Sequence, residues 1–247
     1  MRNAGWRAAR GQVIAFTDDH TIPDADWLRQ GLAALDADAT DAASGRIVVP
    51  LPDEPTDYER DTARLERAGF VTANCFCRRR ALEGVGGFDT RFRGAWREDS
   101  DLFFKLIERG FDVAYAMDAV VVHPVGPARW GVSLRAETKY AFDALLYKKH
   151  PALYDQFIRP DRPLLYYAII AAVAVAVGAG LRGSPEVALA GAGAWLVMTG
   201  SLITRRLTAT SRSMPHVVEV MLTSVLVPWL SAFHRLRGGI MFRVAFW

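Results

Sequence analysis

The chain has 247 residues, with 30 Lys+Arg against 27 Asp+Glu, a formal net charge of +3, 51% hydrophobic residues and 2 cysteines. So few cysteines exclude a disulfide-scaffolded secreted module, and 11% aromatic with 23% charged residues is too apolar for a disordered chain. The mean hydropathy of +0.08 averages a polar stretch, residues 1–163, with an apolar one from Leu164 onward, so the composition describes a membrane protein with a polar head.

Residues 1–10 are arginine-rich, yet no apolar run follows before Asp18 and Asp19, so no secretory signal is read and a cytoplasmic head is expected. Basic residues are scattered among acids, and nucleic acid is not an expected partner. Residues 2–10 read as the C-terminal part of a helix whose preceding elements are absent. Residues 12–17 (QVIAFT) form a buried strand that runs into DDHTIPDADWL, a turn and then a helix starting near residues 23–26. Residues 46–50 and 70–76 are further strands, with a helix around 58–68 between them. Residues 97–109 (REDSDLFFKLIER) form an amphipathic helix with Leu102, Leu106 and Ile107 inward, closed by Gly110. Residues 111–116 and 119–123 supply the last strands, and the pattern is α/β. Residues 130–150 read as one amphipathic helix, either lying on a membrane with Lys139, Lys148 and Lys149 toward anionic headgroups or packing on the domain surface.

The apolar tail divides at its interruptions. Residues 164–181 are uncharged and open with Tyr166 and Tyr167, and residues 187–203 are closed by Arg205 and Arg206. A third run, 217–233, contains Glu219 and Pro228. With the head inside, the loop holding Arg205, Arg206 and Arg212 is also inside, as the distribution of basic residues favours. Three full spans put Arg235, Arg237 and Arg243 outside against the same rule, so the last segment is expected to span, to lie in the interface or to return as a hairpin.

Three clusters carry chemistry. Asp18, Asp19 and His20 lie where the first strand ends, a set able to hold a divalent cation, although acids after a strand more often cap the next helix. Glu98, Asp99 and Asp101 open a helix, where dipole complementation is the ordinary role and a general base of raised pKa the chemical one. His123 stands at a strand end before Pro124, a position more often structural than ligating. Cys75 and Cys77 share one side of a strand and are read as packing.

Taken in order, RNAGWRAARGQVIAFTDDHTIPDADWL, TANCFCRRRALEGVGGFDTRF, WREDSDLFFKLIERG and VVHP resemble the second half of the catalytic domain of family-2-type inverting glycosyltransferases of the GT-A fold, over residues 1–125. The resemblance implies an incomplete GT-A domain (1–125), an interfacial helix and linker (126–163) and a membrane region of two or three transmembrane helices (164–247). It implies a cell-envelope hexosyltransferase-like enzyme that takes a nucleotide-sugar donor and, beside membrane lipids, a lipid-linked or membrane-proximal acceptor. By that resemblance Asp18, Asp19 and His20 occupy the DXD motif that holds Mg²⁺ or Mn²⁺ on the donor diphosphate, with His20 replacing an acid, and His123 joins the metal or diphosphate. Asp99, with Glu98 beside it, is the general base for the acceptor hydroxyl, and Asn74, Trp96 and Asp101 lie on the donor and acceptor side.

Two departures stand out. Arg129-Trp130 is preceded by Gly126 where processive relatives carry Gln, which argues against long-chain polymerisation. The family's first strands, which grip the nucleobase, are expected before the RNAG segment, so the parallel sheet is expected to lack part of its centre and the donor its base pocket. The alternatives are a catalytically inactive truncated membrane fragment and a membrane scaffold or transport protein with Glu219 as its functional acid; a metal-dependent phosphohydrolase would share the acids without needing an acceptor.

Overall fold

A computed structural model describes residues 2–37, 39–93, 96–158 and 163–246; within the expected linker, residues 159–162 lie outside the described residues. The chain divides into two compact units, one of residues 1–52 and 61–126 and one of residues 53–60 and 127–247. Residues 53–60, read from sequence as part of the head, belong with the second unit.

The first unit contains α1 (Arg2–Ala8), β1 (Val13–Thr17), the short β2 (Ile22–Pro23), α2 (Trp27–Ala37) and β3 (Ala42–Val48). After α3 (Asp57–Thr62), which straddles the unit boundary, come a 3-10 turn (Ala63–Arg67), β4 (Asn74–Arg78), α4 (Arg79–Val85), α5 (Glu98–Glu108) and β5 (Val113–Val122). The five strands form one sheet in the order β1-β4-β3-β5-β2. Only β3 and β5 run parallel; the other pairings are antiparallel, so the expected parallel sheet is a mixed one. The alternation of side chains along each strand sorts the core onto two faces. Ile14, Phe16, Ala42, Cys75 and Cys77 meet Leu82 of α4 and Leu102 and Leu106 of α5 on one face. Ala43, Phe76 and Val121 meet Trp27 and Leu35 of α2 on the other. In α5 it is Phe104 rather than Ile107 that is fully buried with the two leucines. Both cysteines are free and buried, and burial pushes the Cys75 thiol well up, with Cys77 adding to the shift, so Cys75 is held as the thiol.

The two strands expected at 111–116 and 119–123 are one strand, β5, interrupted where its register against β3 shifts between Gly45 and Arg46. The carbonyls of Arg46 and Ala119 at this irregularity both accept from Asn74 Nδ2, at 2.9 and 2.8 Å, while Asn74 Oδ1 accepts from Trp27 Nε1 at 2.8 Å. Gly45 is required beside this staple, because any Cβ there would overlap the Asn74 amide.

The second unit begins with residues 53–60 and continues with α6 (Val132–Ala136), a 3-10 segment (Glu137–Phe142), α7 (Asp143–Lys149), α8 (Pro151–Phe157), α9 (Leu164–Leu181), α10 (Pro185–Leu207) and α11 (Met214–Phe242). The single helix expected over 130–150 is thus broken into three pieces. A 3-10 segment has about three residues per turn, so Glu137 and Asp143 eclipse on one side. Both are buried, and Asp143 lies 3.6 Å from Arg235 of α11. Burial pushes the Glu137 carboxyl up to about 7, against the opposing hydrogen bond from Ser231 and the charges of Lys139 and Arg235. Helices α9, α10 and α11 are each long and apolar enough to cross a membrane. Helices α9 and α10 pack through small residues, Gly191 lying against the backbone of Ala172 and Ala176.

Candidate active site

Two groups of functional side chains lie in the first unit, joined by one arginine. The turn after β1 carries Asp18, Asp19 and His20, and the end of β5 carries His123. Ligand atoms of Asp18, His20 and His123 lie within 4.8 Å of one another, and the Nε2 atoms of His20 and His123 are 3.1 Å apart. Two nitrogens bound at right angles to a cation at about 2.1 Å would be separated by about 3.0 Å, so this spacing fits one edge of a coordination polyhedron. Asp19 does not join the cluster: its fully exposed carboxylate sits 3.2 Å from His20 Nδ1. An Nδ1–H donated to Asp19 leaves the His20 Nε2 lone pair toward the cluster, the usual way an outer carboxylate orients a metal-binding imidazole. Burial, with the neighbouring His20, lowers the His123 pKa and favours the neutral form a ligand needs.

The second group stands at the start of α5. Arg97 holds a left-handed backbone, φ 70°, and its guanidinium lies 4.4 Å from the Trp96 ring centre. Asp99 is held by Thr72, whose hydroxyl donates to Oδ1 at 2.6 Å and whose backbone N–H donates to Oδ2 at 3.2 Å. Burial and the adjacent Glu98 raise the Asp99 carboxyl to about 6, against the Thr72 hydrogen bonds and the charge of Arg2. Glu98 is buried; its Oε1 accepts from Arg2 Nη1 at 2.7 Å, and among the described residues Oε2 has no hydrogen-bond partner. The other arm of Arg2 reaches Asp18 Oδ1 at 3.1 Å, so one guanidinium of α1 ties the carboxylates of the two groups together.

Two residues expected on the donor and acceptor side are placed inside the fold. Asn74 is fully buried in the β3-β5 staple, and Asp101 is fully buried 3.1 Å from Lys105 Nζ, an ammonium that also donates to the Gly87 carbonyl. Neither presents a face to a ligand. Two residues that bear on the site, Arg2 and Thr72, carried no signal in the sequence: each is a common residue type, and each acts on a partner far along the chain.

This pairing of an acid-and-imidazole turn after a strand with a held, high-pKa aspartate at a helix start coincides with a sequence match: residues 1–98 match the family described as Glycosyl transferase family 2. Over those residues the chain is similar to family 2 glycosyltransferases. The chain is 24% identical to "Glycosyltransferase AglE" of Haloferax volcanii over 135 residues, 51% of this chain and 44% of that protein. It is 30% identical over 142 residues to "Pre-mycofactocin glycosyltransferase" of Mycobacterium tuberculosis strain CDC 1551, covering 49% of this chain and 29% of that protein, and matches the H37Rv protein of the same name equally. The match thus spans less than half the length of each relative. Of the two groups, Arg2, Asp18, Asp19, His20, Thr72 and Glu98 fall inside the family 2 match, which ends at residue 98, while Asp99 and His123 lie beyond it.

Proposed function

We propose that this domain transfers a sugar from a nucleotide-sugar donor to a hydroxyl of a lipid-linked or membrane-proximal acceptor, with inversion. The observation that carries the reading is Asp99: a carboxylate fixed at both oxygens by Thr72 and poised at about 6 is ionised at neutral pH yet basic enough to take a proton. In the transfer the acceptor hydroxyl gives its proton to Asp99, its oxygen bonds to the anomeric carbon, and the bond from that carbon to the diphosphate oxygen breaks with its electron pair leaving on the diphosphate. Arg2 holds Glu98 and Asp18 in register, so the base and the leaving-group side keep a fixed separation while Glu98 keeps the Asp99 pKa high.

Asp18, His20 and His123 would hold a divalent cation, Mg²⁺ or Mn²⁺, with Asp19 orienting His20 rather than ligating. When bound, that cation supplies charge neutralisation for the departing diphosphate. A set with two imidazoles is softer than an all-carboxylate one and favours Mn²⁺ over Mg²⁺. The apolar helices anchor the chain in a membrane, and Arg205, Arg206 and Arg212 favour a cytoplasmic active site.

The test is sugar transfer from labelled nucleotide-sugar donors to membrane lipid extracts by the full chain, with and without Mn²⁺. Activity that falls at least a hundredfold in Asp99→Asn and on chelation supports the reading; transfer unaffected by either overturns it. Hydrolysis of the donor at the same rate without any acceptor would point to a phosphohydrolase instead.

A further inference from the structure

Helix α11 turns its polar side inward and its apolar side outward. Thr223, Ser224, Ser231, His234 and Arg235 are buried, whereas Met221, Val225, Trp229, Phe233, Leu236 and Ile240 are exposed. At about 100° per residue the exposed set forms one stripe along the helix and the buried set lies opposite it.

The inner side packs on α9 and α10 and, at points along most of its length, on the charge-bearing segment 131–148. Near its start, Glu219 Oε1 accepts from the Gly131 N–H at 2.7 Å. Farther on, Gly238 lies so close to the Ala141 carbonyl that no Cβ fits between them. At its end, the Phe242 carbonyl accepts from Lys148 Nζ at 2.7 Å. From Glu219 to Phe242 an α-helix rises about 35 Å, more than the roughly 30 Å of a bilayer's hydrocarbon. If α11 crossed, residues 131–148 would cross beside it, taking exposed Arg135 and the buried Glu137, Asp143 and Arg235 to membrane depth. Each charge at the centre of a bilayer costs roughly 2.5–3.5 kcal/mol even on the mildest scale.

The end of α10 gives a second, independent marker of level. Arg206, in its last turn, donates from Nη1 to Thr223 and Ser224 at 2.9 Å each and lies 2.5 Å from Asp57. Thr223 and Ser224 are in the body of α11, well past its first turns. A helix running back through the membrane beside α10 would meet that end at its own beginning; a helix lying across the end of the span meets it along its body.

We propose that α11 lies in the plane of the membrane–water interface, its outward stripe embedded in the acyl boundary of the bilayer that α9 and α10 cross. The chain then has two spans, and both ends of α11 stand on one side. Arg237 and Arg243, exposed, flank the stripe where anionic headgroups would meet them, and Trp229 lies at the depth its amphipathic ring prefers. The arrangement also removes the conflict with the distribution of basic residues, since Arg235, Arg237 and Arg243 come to the same side as Arg205 and Arg206. This inference does not depend on the proposed transfer.

The experiment uses the full chain in membrane vesicles of a single orientation, right-side-out or inverted, carrying Arg212→Cys or Arg243→Cys. The native cysteines are buried, and the parent chain gives the background. A membrane-impermeant maleimide should label both variants in the same vesicle preparation; labelling in opposite preparations overturns the proposal. Spin labels at Leu222→Cys, Trp229→Cys and Leu236→Cys in liposomes give a separate reading. Equal, shallow depths by collisional quenching are expected, and a depth maximum at residue 229 between shallower ends overturns the proposal whatever the labelling shows.

Discussion

Replacing Asp99 with Asn separates catalysis from stability. The carboxyl stands at about 6 in the fold against an ordinary value of 3.8, so the folded chain binds a proton more readily than the unfolded one. Stability from this group is therefore present at low pH and declines as pH rises from about 4 to about 6, the reverse of a salt-bridged aspartate. The displacement corresponds to about 3 kcal/mol of strain at neutral pH. Asparagine removes the charge whose net cost, with the attraction to Arg2 already counted, is that displacement, but its amide nitrogen cannot accept from Thr72, so one hydrogen bond is disturbed. The net gain should be about 1–2 kcal/mol at pH 7.5, or roughly 2–8 °C in unfolding midpoint for a chain of this size. Thermal unfolding of parent and Asp99→Asn in detergent, followed by tryptophan fluorescence from pH 5 to 7.5, isolates the effect as a difference between the two. The variant should gain on the parent as pH rises while transfer disappears. A difference that stays constant across this range would refute the account of Asp99 as a strained, protonatable base.

Three further outcomes follow from other parts of the structure. Asn74→Asp keeps the shape but turns a carboxylate oxygen toward the carbonyls of Arg46 and Ala119, and it should lower the unfolding midpoint by about 6 °C or more, corresponding to roughly 3 kcal/mol of unsatisfied buried groups; a midpoint within 1 °C of the parent would remove Asn74 from the sheet. His123→Ala should weaken Mn²⁺ binding, read by the loss of free Mn²⁺ signal in electron paramagnetic resonance titration, at least tenfold, whereas Asp19→Ala should weaken it less, because Asp19 acts only through His20. Gly238→Ala forces a methyl into the Ala141 carbonyl and should destabilise by about 1–3 kcal/mol, while Gly193→Ala, with open space around it, should leave the melting curve within 1 °C.

The sequence by itself determined the local pieces of this protein. Strand β1 with its acid-and-imidazole turn, the acidic start of α5 and the apolar runs of α9 and α10 are legible because strand alternation, helix capping and hydrocarbon thickness are properties of contiguous residues. The order of those motifs was enough to point to family 2. What each side chain faces was decided only by the tertiary structure. Arg2 and Glu98 meet across 96 positions and Thr72 and Asp99 across 27, separations at which no periodicity speaks. Asn74 and Asp101 looked like ligand-facing polar residues and are buried structural ones, because the bulge between β3 and β5 exposes two carbonyls that need a donor and Lys105 supplies a partner one helical turn on. The region 130–150 carries a helical pattern, yet it breaks into a 3-10 segment so that Glu137 and Asp143 face Arg235 from one side. Helix α11 has the composition of a span, and composition counts apolar residues without regard to direction; only packing shows that its polar residues point in and its apolar ones out.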